Sequence, residues 1–508
     1  MNTAHAAATD GEDSAPPIST VAGTGAAGFK GNNEPAVSAQ LNRPYGIAVD
    51  STGTLYFSDY NNHRIRKITT DGKVSTVAGT GAAGYSGDNG SALSARLNYP
   101  RGIAVDGEGT VYIADGANHR VRKVTADGTI STVAGSGTAG FSGDGGSATA
   151  ARLRWPLGVA ADGAGAVYIA DCDNSRVRKV TADGTISTFA GTGTKGSAGD
   201  GGPAASAQLN RPYAVALDGE GAVYIADCDN HRVRKVAADG TITTVAGTGT
   251  AGFKGDDGLA TAAQLNHPRE VAVDSEGAVY IGDVDNQRVR KVAANGTITT
   301  IAGTGTAGFN GDTGPAAAAQ VSSPLGLAVD CVDTLYLADH GNNRVRKIAS
   351  AKLAGLPDSG AVVSWANVRS RLRMAVQRES TKDGAEIHQS LATSRDGQRW
   401  RLVAAGQDNG DVLYTIENLR SGKVLEVVGA GQAAGAAVAQ RTYEGGDAHH
   451  QQWRLIPVGA TADTPQVYEI ANRSSGLLLR VDTNARTPLK QDGSEGDHRN
   501  RQWQLLPV

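Results

Sequence analysis

The stretch from Leu97 to Gly135, LNYPRGIAVDGEGTVYIADGANHRVRKVTADGTISTVAG, decides the fold of this chain. Closely similar stretches occur five more times, and their register does not change. The prolines of the six copies are spaced by 56 residues and are Pro44, Pro100, Pro156, Pro212, Pro268 and Pro324. A fixed period of this size indicates either a solenoid or a propeller.

The content of one copy decides between these two architectures. Four short segments, 102–106, 111–115, 120–124 and 130–134, are rich in β-branched residues or alternate charged with aliphatic ones. The Asp-Gly dipeptide at 127–128 separates the last two segments and is a strong hairpin signal. None of the segments has the 3.6-residue periodicity of an amphipathic helix. Four antiparallel strands per copy predict one propeller blade per copy.

The two ends of the repeat region predict how the ring closes. The chain opens with an unpaired fourth strand, Ile18–Ala22, whereas the sixth copy ends after its third strand, Arg344–Ile348. All six blades have four strands only if these two segments pair. The N-terminal strand is therefore predicted to complete the last blade as a clasp. A closed ring leaves no large unpaired sheet edge. We therefore predict an all-β fold with a six-bladed β-propeller over residues 18–350.

The repeated motif resembles a known family. Each copy contains Pro-x-Gly-Ile-Ala-Val-Asp and then Val-Tyr-Ile-Ala-Asp-x-x-Asn-His-Arg-Val-Arg-Lys, or close variants, and this pattern is similar to the NHL repeat. The resemblance covers residues 18–350 and implies a six-bladed propeller, in agreement with the strand count. NHL domains mostly bind protein or RNA, and a few are lyases, so the resemblance implies a recognition role for the propeller face.

Composition and charge restrict the partners. The 508-residue chain has a formal net charge of −3, so it lacks the global basic field that attracts nucleic acid. Its apolar runs are far shorter than the ~20 residues of a membrane span, and we expect neither nucleic-acid nor membrane binding. Residues 1–17 lack the basic and apolar regions of a secretory signal and are predicted to be a disordered tail. The expected location is cytoplasmic by default, or secreted if the N-terminus has been trimmed.

The repeats predict neither a cofactor nor a metal site. The glycine pattern at 23–28 matches the dinucleotide fingerprint, but it recurs in the other copies with no crossover helix after it. His63, His119 and His231 share one repeat position in different blades, whereas zinc needs three or four ligands on one atom. The Arg-x-Arg-Lys strands, balanced by nearby aspartates, are expected to form a solvated outer rim.

The residues that follow the repeated prolines start the innermost strands and should surround the mouth of the central channel. In chain order they are Tyr45, Arg101, Leu157, Tyr213, Arg269 and Leu325. The next position is small in every blade except the fifth, which has Glu270, and His267 lies close by. We therefore expect a ligand site built from Tyr45, Arg101, Tyr213, His267, Arg269 and Glu270. The alternative is an Arg–Glu pair packed at a wet rim.

A second, weaker repeat follows a predicted linker at residues 351–360. Three units within 361–508 close on Gln-x-Trp or a variant of it, at Trp400, Trp453 and Trp503. All three consist of strand and turn signals, which suggests a three-lobed β-trefoil. The motif resembles the ricin-B-type lectin family, and this resemblance implies that each Trp lies in the core of its lobe.

The resemblance to ricin-B-type lectins also implies where a sugar would bind. The family's site uses an Asp early in the lobe, an aromatic residue further on and an amide just before Gln-x-Trp. The Asp position holds Ala375, Glu426 and Arg480 in the three lobes. Lobe two keeps Glu426, Tyr443 and His450 as substitutes, and lobe three keeps Asn500, with Asp482 two places off. We expect carbohydrate binding by lobe two, because sugars need a carboxylate, an amide and a ring; the alternative is a degenerate trefoil that binds protein.

Together these features favour a non-enzymatic recognition protein, whose propeller face binds a protein or another partner and whose trefoil binds carbohydrate. The alternative is a lyase or hydrolase at the channel mouth, targeted to glycans by the trefoil. Catalysis requires different groups in different sectors, and near-identical blades disfavour it. We expect a monomer without a cofactor.

Overall fold

A computed structural model describes residues 16–50, 53–274, 276–330, 333–349, 359–367, 373–377, 380–390, 398–408, 411–432, 436–445, 448–457, 467–475, 477–480, 489–492 and 502–507. Residues 1–15 of the expected tail and 351–358 of the expected linker lie outside these ranges. Within the described ranges, no helix combines the length and the apolar character needed to cross a membrane.

Six antiparallel sheets form the repeat region, and each contains an inner, a second, a third and an outer strand. The inner strands are Pro44–Val49, Pro100–Val105, Pro156–Ala161, Pro212–Leu217, Pro268–Val273 and Pro324–Val329. The second strands are Leu55–Asp59, Val111–Asp115, Val167–Asp171, Val223–Asp227, Val279–Asp283 and Leu335–Asp339. The third strands are Arg64–Ile68, Arg120–Val124, Arg176–Val180, Arg232–Val236, Arg288–Val292 and Arg344–Ile348. The outer strands are Lys73–Ala78, Thr129–Ala134, Thr185–Ala190, Ile242–Ala246, Thr297–Ala302 and, for the sixth blade, Ile18–Ala22.

Short elements connect these strands. Two-residue edge strands extend four of the sheets and are Glu34–Pro35, Gly90–Ser91, Gly146–Ser147 and Gly258–Leu259. One 3-10 turn lies between the second and third strands of each blade: Tyr60–Asn62, Gly116–Asn118, Cys172–Asn174, Cys228–Asn230, Val284–Asn286 and His340–Asn342. Another precedes each inner strand: Ala36–Ser38, Ala92–Ser94, Ala148–Ala150, Ala204–Ser206, Ala260–Ala262 and Ala316–Ala318. Both sets of turns lie on the same face as the start of the inner strands, because strand directions alternate within a blade.

The N-terminal strand closes the ring and confirms the predicted clasp. Ile18 pairs with Ile348 and Ala22 with Val345 in an antiparallel register. Ile18 is fully buried in the core between the fifth and sixth blades. Ala22 packs in the next core, which joins the sixth blade to Phe57 of the first. The clasp therefore contributes side chains to two adjacent cores of a circular fold.

The third strands correct the expectation of a fully solvated basic rim. Their middle arginines have no exposed surface: Arg66, Arg122, Arg178, Arg234, Arg290 and Arg346. In the second blade, the Arg122 guanidinium lies 2.6 Å from Asp88 of the connecting loop and 4.0 Å from the buried Asp115. Asp88 also accepts a hydrogen bond of 2.6 Å from Thr132. The expectation was wrong at this position because the charge is neutralised by carboxylates from other segments, which makes its burial tolerable.

The C-terminal region contains strands and short turns throughout its described residues. The strands are Val362–Asn367, Arg373–Val376, Ala385–Ser390, Trp400–Asp408, Asp411–Asn418, Val424–Val427, Val438–Arg441, Trp453–Pro457, Val467–Asn472, Leu478–Arg480, Lys490–Asp492 and Gln502–Pro507. The 3-10 turns Val428–Ala430 and His449–Gln451 follow two of these strands within lobe two.

Three equivalent tryptophans define the centre of this β-trefoil. Trp400, Trp453 and Trp503 are fully buried in one apolar core. Their indole N–H groups donate to the carbonyls of Met374, Leu425 and Leu479, with N–O distances of 3.2, 2.9 and 3.2 Å. The core role implied by the sequence resemblance is thereby confirmed.

Candidate functional site

Strained backbone places a ring of varied side chains around the channel mouth. The residue before each repeated proline has a left-handed φ between 49° and 56°, and these residues are Arg43, Tyr99, Trp155, Arg211, His267 and Ser323. Such φ values are uncommon for residues with a side chain, and local strain of this kind often accompanies functional sites. The position differs between neighbouring blades although the strands are nearly identical, so the chemical diversity of the propeller is concentrated at its mouth.

On one side of the mouth, Arg101 lies among aromatic rings. Its two Nη atoms donate to the hydroxyls of Tyr45 and Tyr60, each at 3.2 Å. The guanidinium carbon lies 5.0 Å from the Tyr45 ring centre, 5.1 Å from that of Tyr60 and 5.5 Å from that of Trp155. His340 meets the Tyr45 ring edge-on at 5.8 Å. Burial lowers the pKa of His340 to about 4, so this ring is neutral at physiological pH.

On the other side of the mouth, Asp285 contacts both His267 and Arg269. His267 Nδ1 lies 2.7 Å from Asp285 Oδ2, and Arg269 Nη2 lies 3.6 Å from Asp285 Oδ1. The Arg269 guanidinium carbon is 5.5 Å from the centre of the Tyr213 ring. Arg269 and His267 are thus brought together as predicted from sequence, through a carboxylate that the sequence analysis did not identify.

Arg211 belongs to the same side. Its Nη2 donates to the Tyr213 hydroxyl at 3.2 Å, and its Nε lies 3.5 Å from Asp173 Oδ1. Arg211 occupies the variable position before the proline of the fourth blade, and Asp173 follows the second strand of the third blade. The two residues come from adjacent blades, so their pairing depends on the ring.

Glu270 lies one residue further into the channel than Arg269. No cation lies within ion-pair distance of its carboxylate in the described part of the chain, so the Arg–Glu pair considered from sequence does not form. The carboxylate accepts a hydrogen bond of 3.3 Å from the Val271 backbone N–H. Burial raises the pKa of Glu270 from 4.5 to about 8, because the charged form is desolvated.

A glycine on the neighbouring strand makes room for Glu270. Glu270 is paired with Gly282 in the sheet register. A Cβ at position 282 would lie 3.2 Å from the Glu270 Cβ and 2.7 Å from the Pro324 carbonyl oxygen. The equivalent positions in the other blades are Ser58, Ala114, Ala170, Ala226 and Ala338. The fifth blade therefore combines the large inner residue with the smallest possible neighbour.

Two cavities follow the axis at this end of the propeller. The mouth pocket, of about 290 Å³, is lined by Arg101, Trp155, Leu157, Asp173, Arg211 and Tyr213. The channel, of about 230 Å³, is lined by the inner strands of all six blades. Among the described residues that line the channel, Glu270 is the only ionisable one. Across the described residues, no group of three or more His, Cys, Asp or Glu side chains is arranged to hold a metal ion.

The structure thus brings part of the predicted set of residues together at the mouth pocket. Arg101 and Tyr213 line the mouth pocket, and the Tyr45 hydroxyl accepts a hydrogen bond from Arg101. Trp155, Asp173 and Arg211 were missed. A signal for Trp155 and Arg211 was present, because the position before the proline changes from blade to blade in an otherwise regular repeat.

In lobe two of the trefoil, the structure brings Glu426 and His450 together. The Glu426 carboxylate is nearly fully buried and accepts a hydrogen bond of 2.7 Å from Arg441 Nε. Its other oxygen lies 3.6 Å from His450 Nε2 and accepts a hydrogen bond of 3.4 Å from Gln451. Tyr443 is exposed two residues after Arg441. Glu426 is thus engaged by protein donors that the sequence analysis did not include, and Asp482 and Asn500 of lobe three lie outside the described residues.

Comparison with known families agrees with both parts of the chain. A profile described as "Teneurin NHL domain" matches residues 81–142, 137–198, 192–254 and 250–308, and the "NHL repeat" profile matches 41–68. A profile described as "Ricin-type beta-trefoil lectin domain-like" matches 354–441 and 407–491. The protein is an NHL-repeat β-propeller followed by a ricin-B-type lectin-like β-trefoil.

Particular relatives include teneurins. The chain is 29% identical to Teneurin-1 of Gallus gallus over 478 residues, which cover 86% of this chain and 14% of that protein. It is 31% identical to Teneurin-3 of Mus musculus over 293 residues, which cover 49% of this chain and 10% of that protein. The chain thus spans a small fraction of the length of these relatives. Among solved structures, the designed threefold-symmetric protein ThreeFoil is 34% identical, with a TM-score of 0.25, over 29% of this chain and 99% of its own.

Proposed function

We propose that this chain is a non-enzymatic recognition protein that binds a partner at the propeller mouth and carbohydrate through lobe two of the trefoil. The observation that carries the proposal is the contrast between uniform blades and a varied mouth. The mouth pocket collects Arg101, Arg211, Asp173 and two aromatic rings from neighbouring blades. Arginine and large aromatic residues are the side chains that dominate binding hot spots.

A selection of peptide ligands tests the propeller half of the proposal. A displayed library of random peptides is selected on the full chain, and the enriched peptides are then rebound to two variants. Arg211→Ala removes a half-exposed mouth side chain, whereas Lys73→Ala changes an exposed residue at the hairpin turn on the opposite face. We expect rebinding to fall at least tenfold for Arg211→Ala and to be unchanged for Lys73→Ala. Equal rebinding to both variants would place recognition elsewhere and refute a binding role for the mouth.

The trefoil half of the proposal rests on the cluster around Glu426. The buried carboxylate holds Arg441 and lies near His450, and Tyr443, two residues after Arg441, presents an exposed ring. Donors beside an aromatic face are what sugar hydroxyls and the apolar face of a sugar ring require. In this arrangement Glu426 acts chiefly by orienting the donors.

A glycan array tests this half. We expect bound glycans to be lost on Glu426→Gln, because the orientation of Arg441 depends on the full carboxylate charge. Glu417→Gln is the matched control, since Glu417 also forms an ion pair, 3.5 Å from Arg401, but is not part of the cluster. A blank array with the unaltered chain would contradict carbohydrate binding and favour the degenerate, protein-binding trefoil.

A further inference from the structure

Arg101 is a half-buried cation with no anionic partner among the residues that the structure describes. Within the described part of the chain, no carboxylate oxygen lies within 4.0 Å of its guanidinium nitrogens, and its two Nη atoms donate to the hydroxyls of Tyr45 and Tyr60. Its Nε is buried and has no hydrogen-bond acceptor among these described residues. A cation removed from water without a counter-charge is unfavourable unless something compensates it.

Two other arginines near the mouth pocket already have counter-charges. Arg211 is paired with Asp173 at 3.5 Å, and Arg269 with Asp285 at 3.6 Å. Of the charged residues that line the mouth pocket, Arg101 is therefore the one without a counter-charge in the described part of the chain. One unpaired cation matches a ligand with one negative charge better than a dianion such as phosphate.

The second blade also provides space beneath Arg101. A Cβ at Gly116 would lie 3.4 Å from Arg101 Cδ and 3.6 Å from its Nε, so a larger residue would press on this side chain. The equivalent positions in the other blades are Tyr60, Cys172, Cys228, Val284 and His340. Arg101 and Gly116 thus occur together in the second blade, just as Glu270 and Gly282 occur together in the fifth.

Besides Arg101 and the Arg211–Asp173 pair, the walls of the mouth pocket are aromatic or aliphatic. Trp155, Tyr213 and Leu157 line it together with Arg101. Its volume of about 290 Å³ lies at the lower end of the range for small-molecule sites. A pocket of this size holds a group about as large as one amino acid.

We propose that the mouth pocket binds a monoanionic organic carboxylate carried on an apolar or aromatic group. The carboxylate accepts hydrogen bonds from Arg101, and the apolar group packs between Trp155, Leu157 and Tyr213. The ligand is either a free organic acid or the C-terminal carboxylate of a polypeptide, because both present the same chemistry. This inference rests on the proposed recognition role of the propeller mouth and names the ligand class.

Fluorescence of the full chain provides the test. Trp155 lines the pocket, whereas Trp365, Trp400, Trp453 and Trp503 are fully buried in the trefoil. Saturable changes in emission therefore report on Trp155. The probes are N-acetylphenylalanine, its uncharged amide and inorganic phosphate. We expect the acid to bind at least tenfold more tightly than the amide and more tightly than phosphate. Equal binding of acid and amide, tighter binding of phosphate, or no saturable change with the acid would each overturn the proposal.

Two variants test whether Arg101 supplies the positive charge that binds the carboxylate. Arg101→Met should weaken binding of N-acetylphenylalanine at least tenfold, whereas Lys73→Met, which removes an exposed cation on the opposite face, should not. Unchanged affinity in a folded Arg101→Met chain would refute the assignment. If that variant does not fold, the comparison of acid with amide on the unaltered chain still decides the question.

A second pair of probes distinguishes a free organic acid from the C-terminal carboxylate of a polypeptide. A decapeptide ending in phenylalanine is compared with its C-terminally amidated form. Tighter binding of the free-acid peptide than of N-acetylphenylalanine supports a polypeptide C-terminus, and weaker binding supports a small acid. Failure of all carboxylate probes, together with peptide selections that still depend on Arg211, would refute the ligand class and leave the recognition role of the mouth standing.

Discussion

Replacement of Glu270 by Gln should make the propeller more stable at alkaline pH. Within the described part of the chain, Glu270 is the only ionisable residue that lines the channel, and no cation lies within ion-pair distance of it. Its pKa is raised from 4.5 to about 8 by burial. The glutamine side chain has nearly the same shape but cannot ionise, so the comparison isolates the charge.

The sign of the effect follows from proton linkage. Between pH 4.5 and about 8 the folded state holds the Glu270 proton and the unfolded state has released it, so the stability contributed at this site falls as pH rises. The change in pKa corresponds to an upper limit of about 5 kcal/mol at pH above 8. Since Glu270 keeps some access to water, screening reduces this penalty, and we expect about 2–3 kcal/mol.

The assay is urea unfolding of the unaltered chain and of Glu270→Gln at several pH values from 4.5 to 9. The other titrating groups are common to both, so the difference in unfolding free energy reports on residue 270. It should be near zero at pH 4.5 and should rise in favour of the glutamine variant towards pH 9. Glu108→Gln, in an exposed turn on the opposite face, should show no such trend. A difference that is flat with pH, or that favours glutamate at pH 9, would refute the reasoning.

Three further substitutions test the packing. Ile18→Asp places a charge in a fully buried clasp position and should cost at least about 3 kcal/mol, with a clearly lower Tm; an unchanged Tm would contradict closure by the clasp. Arg122→Met leaves the buried Asp115 without its cation and should lower the unfolding free energy in urea by about 3–5 kcal/mol. Gly282→Ala should cost about 1–3 kcal/mol by crowding Glu270 and the backbone beyond it. In a double-mutant cycle, Gly282→Ala should lower the unfolding free energy less when Glu270→Gly is already present. Strictly additive costs would show that the two positions are not coupled.

Much of the fold could be predicted because strand signals are local. The second and third strands of the second blade, Val111–Asp115 and Arg120–Val124, lie where the sequence pattern places them. The inner strand begins at Pro100, two residues before the predicted start. Proline is tolerated there because the inner strand is a sheet edge, so its missing N–H breaks no ladder bond.

Side-chain environments were predicted less well. The alternating pattern around Arg122 is typical of a half-exposed strand, yet this arginine is fully buried. Its nearest carboxylate belongs to Asp88, which lies 34 residues earlier in the chain. No local pattern indicates that a charge will be neutralised from such a distance.

For the candidate site, too, the positions of residues could be predicted but their charge pairing could not. The repeat showed which residues start the inner strands. The sequence alone therefore placed four residues at the channel: Arg101, Tyr213, Arg269 and Glu270. The repeat did not show that Arg269 is paired with Asp285 while no cation of the described residues pairs with Glu270.

The sequence by itself determined the number of blades, the clasp and the trefoil, because a strict period and the count of strands leave one way to close the ring. Only the tertiary structure decided which mouth charges are neutralised and which, like Arg101, are not. Electrostatic pairing depends on separations of a few ångströms between side chains of different blades. Those separations are set by the packing of the ring, and a repeat in the sequence does not contain them.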